Sequence, residues 1–325
     1  MHTRAEAPFA MGIDVHHHLI VPSYISAALE QGAADAEWAS SHTTVTAQQH
    51  GAPAVVLEGR AEDMRAAGIG TALLSVTAVV FRARQLAVRA AHDSNRELLA
   101  AARTDPEHFH VMASLPVPFA DACLAELEDL RNEDLVSALI MPVGTADWTL
   151  DNESFLPVWQ AIAETGLPVM LHPSLEPWPP AFRRWRLGPG IGVPVETSLA
   201  ALNLIFSGTL DMFPELTIIV PQLGGVLPYL TQRLLDRGQG DAKHDVAHYL
   251  RDRIYYDNNS YHRPALACAI DTVGANRIVL GSDYPFRGTL TQCVQDITGA
   301  DLSATDKNAI LDGNARSILH GLTAP

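Results

Sequence analysis

Residues 12–20 read Gly-Ile-Asp-Val-His-His-His-Leu-Ile, an apolar segment that runs into three consecutive histidines. Side chains of a β-strand alternate between two faces, so His16 and His18 point the same way here and His17 points the opposite way. Two imidazoles on one face can bind the same metal ion. This stretch therefore predicts a buried strand that supplies half of a metal site, with His17 in a structural role.

Two further apolar segments end in a residue that can bind a metal ion. Residues 167–173 read Leu-Pro-Val-Met-Leu-His-Pro, and residues 278–285 read Ile-Val-Leu-Gly-Ser-Asp-Tyr-Pro, so the segments end at His172 and Asp283. A carboxylate after such a run is costly unless it is paired or binds a metal. Imidazole and carboxylate suit a divalent ion such as zinc, and an open coordination position would serve chemistry. Capping of a helix is the main alternative for Asp283.

Apolar segments rich in β-branched residues recur along the chain with helical patterns between them, which is typical of parallel βα units. Eight such segments predict an α/β protein built as a (β/α)8 barrel, and 325 residues suffice for one such domain, residues 1–325. The predicted strands are Ile13–His16, Thr71–Val76, His108–Leu115, Val136–Met141, Val169–His172, Leu216–Val220, Arg253–Asn258 and Arg277–Ser282. The predicted helices include Ala120–Leu130, Phe155–Glu164, Leu199–Phe213 and Thr305–Leu319.

Two stretches interrupt this rhythm and are predicted to be insertions, at about residues 22–61 and 173–194. The first lacks clear periodicity, and the second is dense in Trp, Pro, Arg and Gly. Each follows a strand that ends in a candidate ligand, so we expect both at the carboxyl-terminal mouth of the barrel. An ordinary surface insertion is the alternative for the first stretch. Trp178, Trp185 and Arg186 favour substrate contact by the second.

The charge balance excludes several classes of partner. The chain has 22 basic and 37 acidic residues, a net charge of -15 and only two lysines, so it offers no basic surface to nucleic acid or an anionic membrane. Cys123, Cys268 and Cys293 lack the spacing of a disulfide framework or a cysteine metal site. The first ten residues lack the apolar core of a signal peptide, and no apolar run reaches the roughly 20 residues of a membrane span. We therefore expect a soluble cytoplasmic protein that acts on a small molecule.

Five motifs of this chain are residues 13–18 (Ile-Asp-Val-His-His-His), 62–69 (Glu-Asp-Met-Arg-Ala-Ala-Gly-Ile), 167–173 (Leu-Pro-Val-Met-Leu-His-Pro), 206–216 (Phe-Ser-Gly-Thr-Leu-Asp-Met-Phe-Pro-Glu-Leu) and 281–286 (Gly-Ser-Asp-Tyr-Pro-Phe). With them the chain resembles the amidohydrolase superfamily, in the branch typified by aminocarboxymuconate semialdehyde decarboxylase. The resemblance implies a (β/α)8 barrel with one metal ion, usually zinc and sometimes manganese, bound by His16, His18, His172 and Asp283. Known relatives mostly decarboxylate aromatic or unsaturated acids, and others hydrolyse or hydrate related substrates.

One position departs from this family. The sixth strand of relatives usually ends in a His that acts as an acid or base beside the metal, whereas here Gln222 occupies that place in Val-Pro-Gln-Leu-Gly-Gly. An amide can donate and accept hydrogen bonds, so Gln222 is a candidate to orient metal-bound water or a substrate oxygen, but it cannot exchange a proton near neutral pH. Asp283 and His262 are the candidates to replace it. His262 follows the seventh strand, at the predicted mouth, and the alternative is a surface His that caps the next helix.

An anionic substrate needs a cation in the pocket, and arginine pairs well with carboxylates. The candidates are Arg233, Arg186 and Arg263. By resemblance, Arg233 falls where decarboxylase relatives place an arginine that reaches the substrate across a dimer interface, which implies a homodimer. The alternative is an outward helix residue that pairs with Asp236.

Three functions are consistent with these residues. The favoured one is a metal-dependent decarboxylase or related carbon-carbon lyase acting on a small aromatic or conjugated carboxylic acid. The second is a metal-dependent hydrolase of a lactone, an amide or an activated carbon-carbon bond, with Asp283 as the base. The third, prompted by Gln222, is a barrel that binds a ligand without catalysis. Four costly polar groups at one barrel mouth speak against the third.

Overall fold

Eight parallel strands form the central sheet, and neighbours in the sheet follow one another along the chain. The computed structural model describes residues 9–34, 52–145, 147–174, 180–238 and 240–322. All eight predicted strands are confirmed, with bounds that differ by a few residues. The strands are β1 (Gly12–His18), β2 (Ile69–Ser75), β3 (Phe109–Ser114), β4 (Val136–Pro142), β5 (Val169–His172), β6 (Ile218–Val220), β7 (Ile254–Asp257) and β8 (Ile278–Val279).

The chain beyond β8 returns to β1 and brings the two edges of the sheet together. Val15 N donates a hydrogen bond to Leu280 O at 2.9 Å, and His18 N donates to Tyr284 O at 2.8 Å. The sheet is therefore nearly closed into a barrel, and the predicted (β/α)8 fold is confirmed.

Helices cover the outside of the sheet and connect its strands. Short 3-10 or π turns extend several of them, at Glu153–Phe155, Arg184–Arg186, Gly188–Gly192, Ala275–Arg277 and Ala309–Gly313. A small hairpin pairs Gly144–Thr145 with Trp148–Thr149. The α-helices are Pro22–Ala34, Ala52–Val55, Arg60–Ala67, Arg84–Ala102, Ala120–Leu130, Leu156–Thr165, Pro180–Arg183, Val193–Phe206, Thr209–Met212, Leu227–Arg237, Val246–Asp252, Arg263–Val273, Leu290–Thr298, Ala304–Asn308 and Asn314–Ile318. The segment Pro221–Gly224 is a turn in which Gln222 and Leu223 both have a φ of 55°.

Two hydrophobic layers hold the barrel together. One fills the space between the strands and the surrounding helices, and the other fills the barrel interior. Strand residues alternate between the two layers, as the period of two requires. The interior layer contains Ile13, Val15, Leu73, Met112, Ala138, Ile140, Met170, Ile219 and Val279.

The structure corrects two of the predictions. The stretch at residues 22–61, predicted to lack periodicity, begins with the 13-residue helix Pro22–Ala34, whose residues Tyr24, Ala27 and Ala28 are buried at helical spacing. Residues 35–51 of that stretch lie outside the described part. The predicted helix Leu199–Phe213 instead begins at Val193 and stops at Phe206, because Gly208 adopts a left-handed conformation with φ of 75°.

One helical stretch, Gly188–Phe206, has the length and composition of a membrane span, with 19 residues and a mean hydropathy of 1.3. Its residues Ala200, Ala201, Leu204 and Ile205 are buried in the layer between helices and strands. The apolar character of this stretch therefore follows in part from its packing against the barrel.

Candidate metal centre

A bulge in β1 turns two histidines into the barrel. Asp14 pairs with Ala72 and His17 pairs with Leu74, so three steps along β1 oppose two steps along β2. Val15 lies in the interior layer, and the extra residue lets the next side chain, His16, face the interior as well. With strict alternation from Val15, both His16 and His18 would instead point toward the helices. The bulge therefore places these two imidazoles at the mouth.

Four polar side chains converge at this end of the barrel. The Nε2 atoms of His16 and His18 lie 3.1 Å apart, and His172 has a ring nitrogen within 4.8 Å of both residues' ligand atoms. Asp283 Oδ1 lies 3.6 Å from His16 Nε2 and 3.4 Å from His18 Nε2. The structure thus brings the predicted ligand side chains together around one point. They come from β1, from the end of β5 and from the segment after β8.

The far nitrogen of each imidazole is held by a hydrogen-bond partner. His16 Nδ1 lies 2.6 Å from Asp257 Oδ2, and His172 Nδ1 lies 2.9 Å from the carbonyl oxygen of Pro173. Because carboxylates and carbonyls only accept, both Nδ1 atoms carry the proton. His18 Nδ1 has Ser75 Oγ at 3.1 Å. In this arrangement the Nε2 atoms of His16 and His172 are left to bind a metal ion, as in metal sites whose ligands are oriented by a second layer of residues.

The electrostatics of the cluster favour a cation. Although burial lowers the pKa of His16, the carboxylates of Asp283, Asp257 and Asp14 raise it to about 9. Burial and the neighbouring His18 and His16 lower the pKa of His172 to about 3. A negative field that holds a proton on one imidazole beside unprotonated ones would equally hold a metal ion in its place. Three nitrogens and one carboxylate thus fit a divalent metal ion.

Asp283 occupies its place through a strained backbone and two contacts. Its φ is 55°, in the left-handed region that is rare for residues other than glycine. Its N–H donates to His16 O at 2.7 Å, and Asn259 Nδ2 donates to its Oδ2 at 3.1 Å. None of the described helices has an N-terminal backbone N–H that donates to the carboxylate of Asp283. The helix-capping interpretation is therefore not supported.

Gly281 leaves room for the two residues behind it. A Cβ atom at this position would lie 2.7 Å from the Cβ of Asp257 and 3.0 Å from the Cβ of His16. Asp257 and His16 form the hydrogen bond that orients the His16 imidazole. Only glycine therefore fits between the strand that carries His16 and the strand that carries its partner.

We expect Gly281→Ala to lower metal affinity about 10- to 100-fold, because the added methyl group displaces the Asp257–His16 pair. Overpacking should also reduce the free energy of unfolding by about 1–3 kcal/mol. Metal content after dialysis and a denaturant melt measure the two effects. Gly313→Ala is the matched control, since its Cβ would meet nothing nearer than 3.9 Å. Equal metal affinity in both variants would contradict this assignment.

The side of β1 away from the centre has its own polar network. His17 Nδ1 lies 2.9 Å from Asp14 Oδ2, and the His17 ring stacks on Tyr284 at 5.0 Å. Ser282 Oγ donates to Asp14 Oδ2 at 2.5 Å. The guanidinium of Arg60 donates to the carbonyl oxygen of His18 at 2.7 Å and lies over the ring of Tyr284. These contacts join β1 to the segment that carries Asp283, which agrees with a structural role for His17.

Gln222 lies just beyond β6, where the sequence places it. Its φ is 55°, and its backbone N–H donates to Asp257 Oδ1 at 2.7 Å. It lines a cavity of about 530 Å³ together with Asn259, His262 and Arg287. Asn259 also contacts Asp283, so the cavity adjoins the four converging side chains.

His262 is exposed and stands at the N-cap position of the helix Arg263–Val273. Its side chain makes no cap hydrogen bond. The alternative that it caps this helix is therefore not supported, whereas its place on the cavity wall agrees with the predicted position at the mouth.

The predicted arginines lie in different surroundings. Arg233 is exposed on the helix Leu227–Arg237, and Asp236, its predicted helical partner, accepts a hydrogen bond from Gln232 Nε2 instead. Arg263 Nε lies 3.6 Å from Asp296 Oδ1. Trp185 is 77% exposed, with the guanidinium of Arg184 4.1 Å from the centre of its ring. The side chain of Arg186 and residue Trp178 lie outside the described part of the chain.

The sequence profile of the family described as amidohydrolase matches residues 13–321. The chain belongs to the amidohydrolase family. It is 29% identical over 253 residues to a gamma-resorcylate decarboxylase of Rhizobium radiobacter, which covers 71% of this chain and 77% of the relative. It is 27% identical to a 6-methylsalicylic acid decarboxylase of Penicillium expansum, over 84% of each chain.

Among solved structures, a dihydroxybenzoic acid decarboxylase from Polaromonas sp. JS666 superposes with a TM-score of 0.80 at 24% identity, over 95% of this chain and 96% of that one. This likeness concerns the fold. It agrees with the predicted (β/α)8 barrel. The profile match over residues 13–321 is what confirms the family predicted from the motifs.

Several residues of this amidohydrolase centre were not predicted from the sequence. Asp257 ends the apolar run Ile-Tyr-Tyr-Asp of β7, which is the same signal that marks His172 and Asp283. Asn259 and Arg287 follow strand ends by two and eight residues and carry no such signal. Ser75 is the last residue of β2, where a small polar side chain has many common structural roles.

Proposed function

We propose that this amidohydrolase is a metal-dependent decarboxylase of a small aromatic carboxylic acid. Its relatives from Rhizobium radiobacter and Penicillium expansum are named for the decarboxylation of gamma-resorcylate and 6-methylsalicylic acid. The observation that carries the proposal is the convergence of His16, His18, His172 and Asp283 beside a cavity of about 530 Å³. That volume is within the range of small-molecule sites.

We infer that these four side chains hold one divalent ion. The pattern of nitrogen and oxygen donors favours zinc, and manganese is the other candidate because the Polaromonas enzyme is described with bound manganese. When bound, such an ion supplies Lewis-acid stabilisation of negative charge on the substrate. Removal of the metal with a chelator, followed by addition of Zn²⁺ or Mn²⁺ alone, identifies the ion by the activity that returns.

The residues of the protein must deliver one proton to the substrate ring. In the reaction the bond between the ring and the carboxylate breaks, CO2 leaves, and the ring carbon gains a proton. Gln222 cannot supply it, because an amide does not titrate near neutral pH. Asp283 is the carboxylate at the centre; although burial raises its pKa, the neighbouring His16, His18 and His172 lower it to about 2, so it is ionised at neutral pH. We therefore assign it the relay of a proton, accepted from solvent, to the ring carbon. His262, on the cavity wall, is the second candidate.

Arg287 is the cation that we assign to the substrate carboxylate. It lines the cavity, its backbone N–H donates to Asp283 O at 3.2 Å, and its guanidinium lies 5.9 Å from the centre of the Tyr261 ring. Arg263 is directed toward Asp296 instead. Arg186 and Trp185 remain predictions for the segment after β5.

We expect Arg287→Met to raise KM for the aromatic acid about tenfold with a smaller change in kcat, because it removes a charged hydrogen-bond donor from the cavity. Steady-state kinetics of CO2 release measures both constants. Arg263→Met serves as the control, since that arginine neighbours the cavity residues but pairs with Asp296. A larger KM effect in the control variant would exclude Arg287 as the carboxylate-binding cation.

The proposed function is tested with a panel of hydroxybenzoic acids in D2O. The expected result is CO2 release and a product with deuterium at the carbon that lost its carboxylate. Incorporation of oxygen-18 from labelled water into the product, without CO2 release, would mark a hydrolase instead. A metal-loaded protein that releases no CO2 from any acid of the panel would contradict the decarboxylase assignment.

We also infer that the chain is one barrel domain that works as a homodimer in the cytoplasm. The family match over residues 13–321 supports one domain. The exposed position of Arg233 leaves it available to a second subunit, and unpaired cysteines suit a reducing compartment.

Light scattering of the purified protein measures the oligomeric state. Mixing an Arg233→Met chain with an inactive His172→Ala chain should restore part of the activity if Arg233 acts across the interface.

A further inference from the structure

Asn259 presents an unused hydrogen-bond acceptor beside the metal centre. The residue is fully buried, and its Nδ2 donates to Asp283 Oδ2 at 3.1 Å. A carboxylate only accepts, so the amide nitrogen must face Asp283 and the carbonyl oxygen Oδ1 must face away from it. Asn259 Oδ1 has no hydrogen-bond partner. The orientation of this acceptor is therefore fixed by the ligand that it touches.

Gln222, which lines the same cavity, carries a second acceptor. Its Oε1 is buried and also lacks a hydrogen-bond partner. The backbone N–H groups of Gln222 and Asn259 both donate to Asp257 Oδ1, at 2.7 Å and 3.0 Å. One carboxylate thus fixes both backbones, and it is the same carboxylate that holds His16 Nδ1.

Two buried acceptors without donors are unfavourable unless water or a ligand supplies the donors, and a ligand that donates to both can displace such water. Both residues line the cavity of about 530 Å³, whose other walls include Pro194, Pro228 and the exposed ring of Tyr229. A cavity lined by apolar side chains and by two residues with buried acceptors suits an aromatic ring with a polar substituent.

We propose that Asn259 Oδ1 and Gln222 Oε1 form a two-acceptor subsite that binds hydrogen-bond-donating substituents of the substrate ring, either hydroxyl or amino groups. The subsite selects such rings against the same rings carrying methoxy groups, which cannot donate. This inference rests on the proposed function for the identity of the ligand as an aromatic acid. Gln222, which cannot act as an acid or base, is thereby a specificity-determining residue.

The test measures binding, so that it does not depend on turnover. Resorcinol, 1,3-diaminobenzene and 1,3-dimethoxybenzene are titrated into the metal-loaded protein by calorimetry. We expect resorcinol or the diamine to bind about 10²-fold more tightly than the dimethoxy compound, because the latter leaves both acceptors unpaired. Whichever of resorcinol and 1,3-diaminobenzene binds more tightly shows whether the subsite prefers hydroxyl or amino groups. Equal affinities for all three compounds would overturn the subsite.

Variants at Gln222 separate the acceptor from the shape of the pocket. Gln222→Met should reduce the preference for the donor compound about tenfold, while Gln222→Glu, which keeps an acceptor oxygen, should retain it. Gln232→Met, the same change on an exposed helix residue, is the control and should leave the preference unchanged. If Gln222→Met keeps the full preference, Gln222 has no part in the subsite.

The two proposals fail in different ways. Release of CO2 from hydroxybenzoic and methoxybenzoic acids with equal kcat/KM would support the proposed decarboxylase function and overturn the proposed subsite. Donor-selective binding that is lost in Gln222→Met, with no CO2 released from any acid, would support the subsite and overturn the decarboxylase.

Discussion

A His16→Ala variant is expected to lose its bound divalent metal and about 10³-fold of the decarboxylase kcat, which corresponds to about 4 kcal/mol of transition-state stabilisation. The imidazole of His16 lies at the middle of the cluster, 3.1 Å from His18 Nε2 and 3.6 Å from Asp283 Oδ1. Its removal also leaves the buried carboxylate of Asp257 without its histidine partner. Elemental analysis and CO2 release measure the two losses.

His248→Ala is the matched control for this variant. His248 lies on the helix Val246–Asp252 and pairs with Asp252 at 3.1 Å, away from the barrel mouth. We expect it to keep its metal and its activity. A His16→Ala protein that carries as much metal as the His248→Ala protein, with the same turnover, would exclude His16 as a ligand.

An Asp257→Asn variant is expected to bind metal about 10- to 100-fold more weakly, although Asp257 does not lie among the proposed ligands. Its two oxygens accept from His16 Nδ1, from Gln222 N and from Asn259 N. An amide has one acceptor oxygen and one donor group, so it cannot satisfy donors on both sides. Either the imidazole loses its orienting partner or the two backbone groups do. Competition with a chelator of known affinity measures the change.

Asp121→Asn provides the comparison, because Asp121 is an exposed carboxylate that pairs with Arg84 and contacts none of the residues of the metal centre. Metal affinity should be unchanged in that variant. Asp257→Asn should also weaken the donor preference at the cavity, since it releases the backbones of Gln222 and Asn259 together. Unchanged metal affinity in Asp257→Asn would show that the hydrogen bond to His16 does not support metal binding.

The barrel could be predicted because its signals are local. Each strand is a short apolar run, such as Val169–His172, and the helix Ala120–Leu130 has the bounds that its periodicity predicts. The helix Pro22–Ala34 was not predicted, since two of its buried positions, Ala27 and Ala28, carry small residues that give a weak hydrophobic pattern. Gly208 ended a predicted helix early through a backbone conformation that the apolar spacing does not reveal.

The sequence by itself determined the eight strands, the family and the kinds of side chain that end the strands at one mouth. The tertiary structure alone decided how those side chains meet. The direction in which the His16 side chain points depends on a bulge that forms only when β1 pairs with β2. The hydrogen-bond partner of His16, Asp257, lies 241 residues away in the sequence. The free acceptors of Asn259 and Gln222 likewise appear only once their neighbours are in place. The physical reason is that strand composition is a local property, whereas register and hydrogen-bond pairing depend on contacts between distant segments.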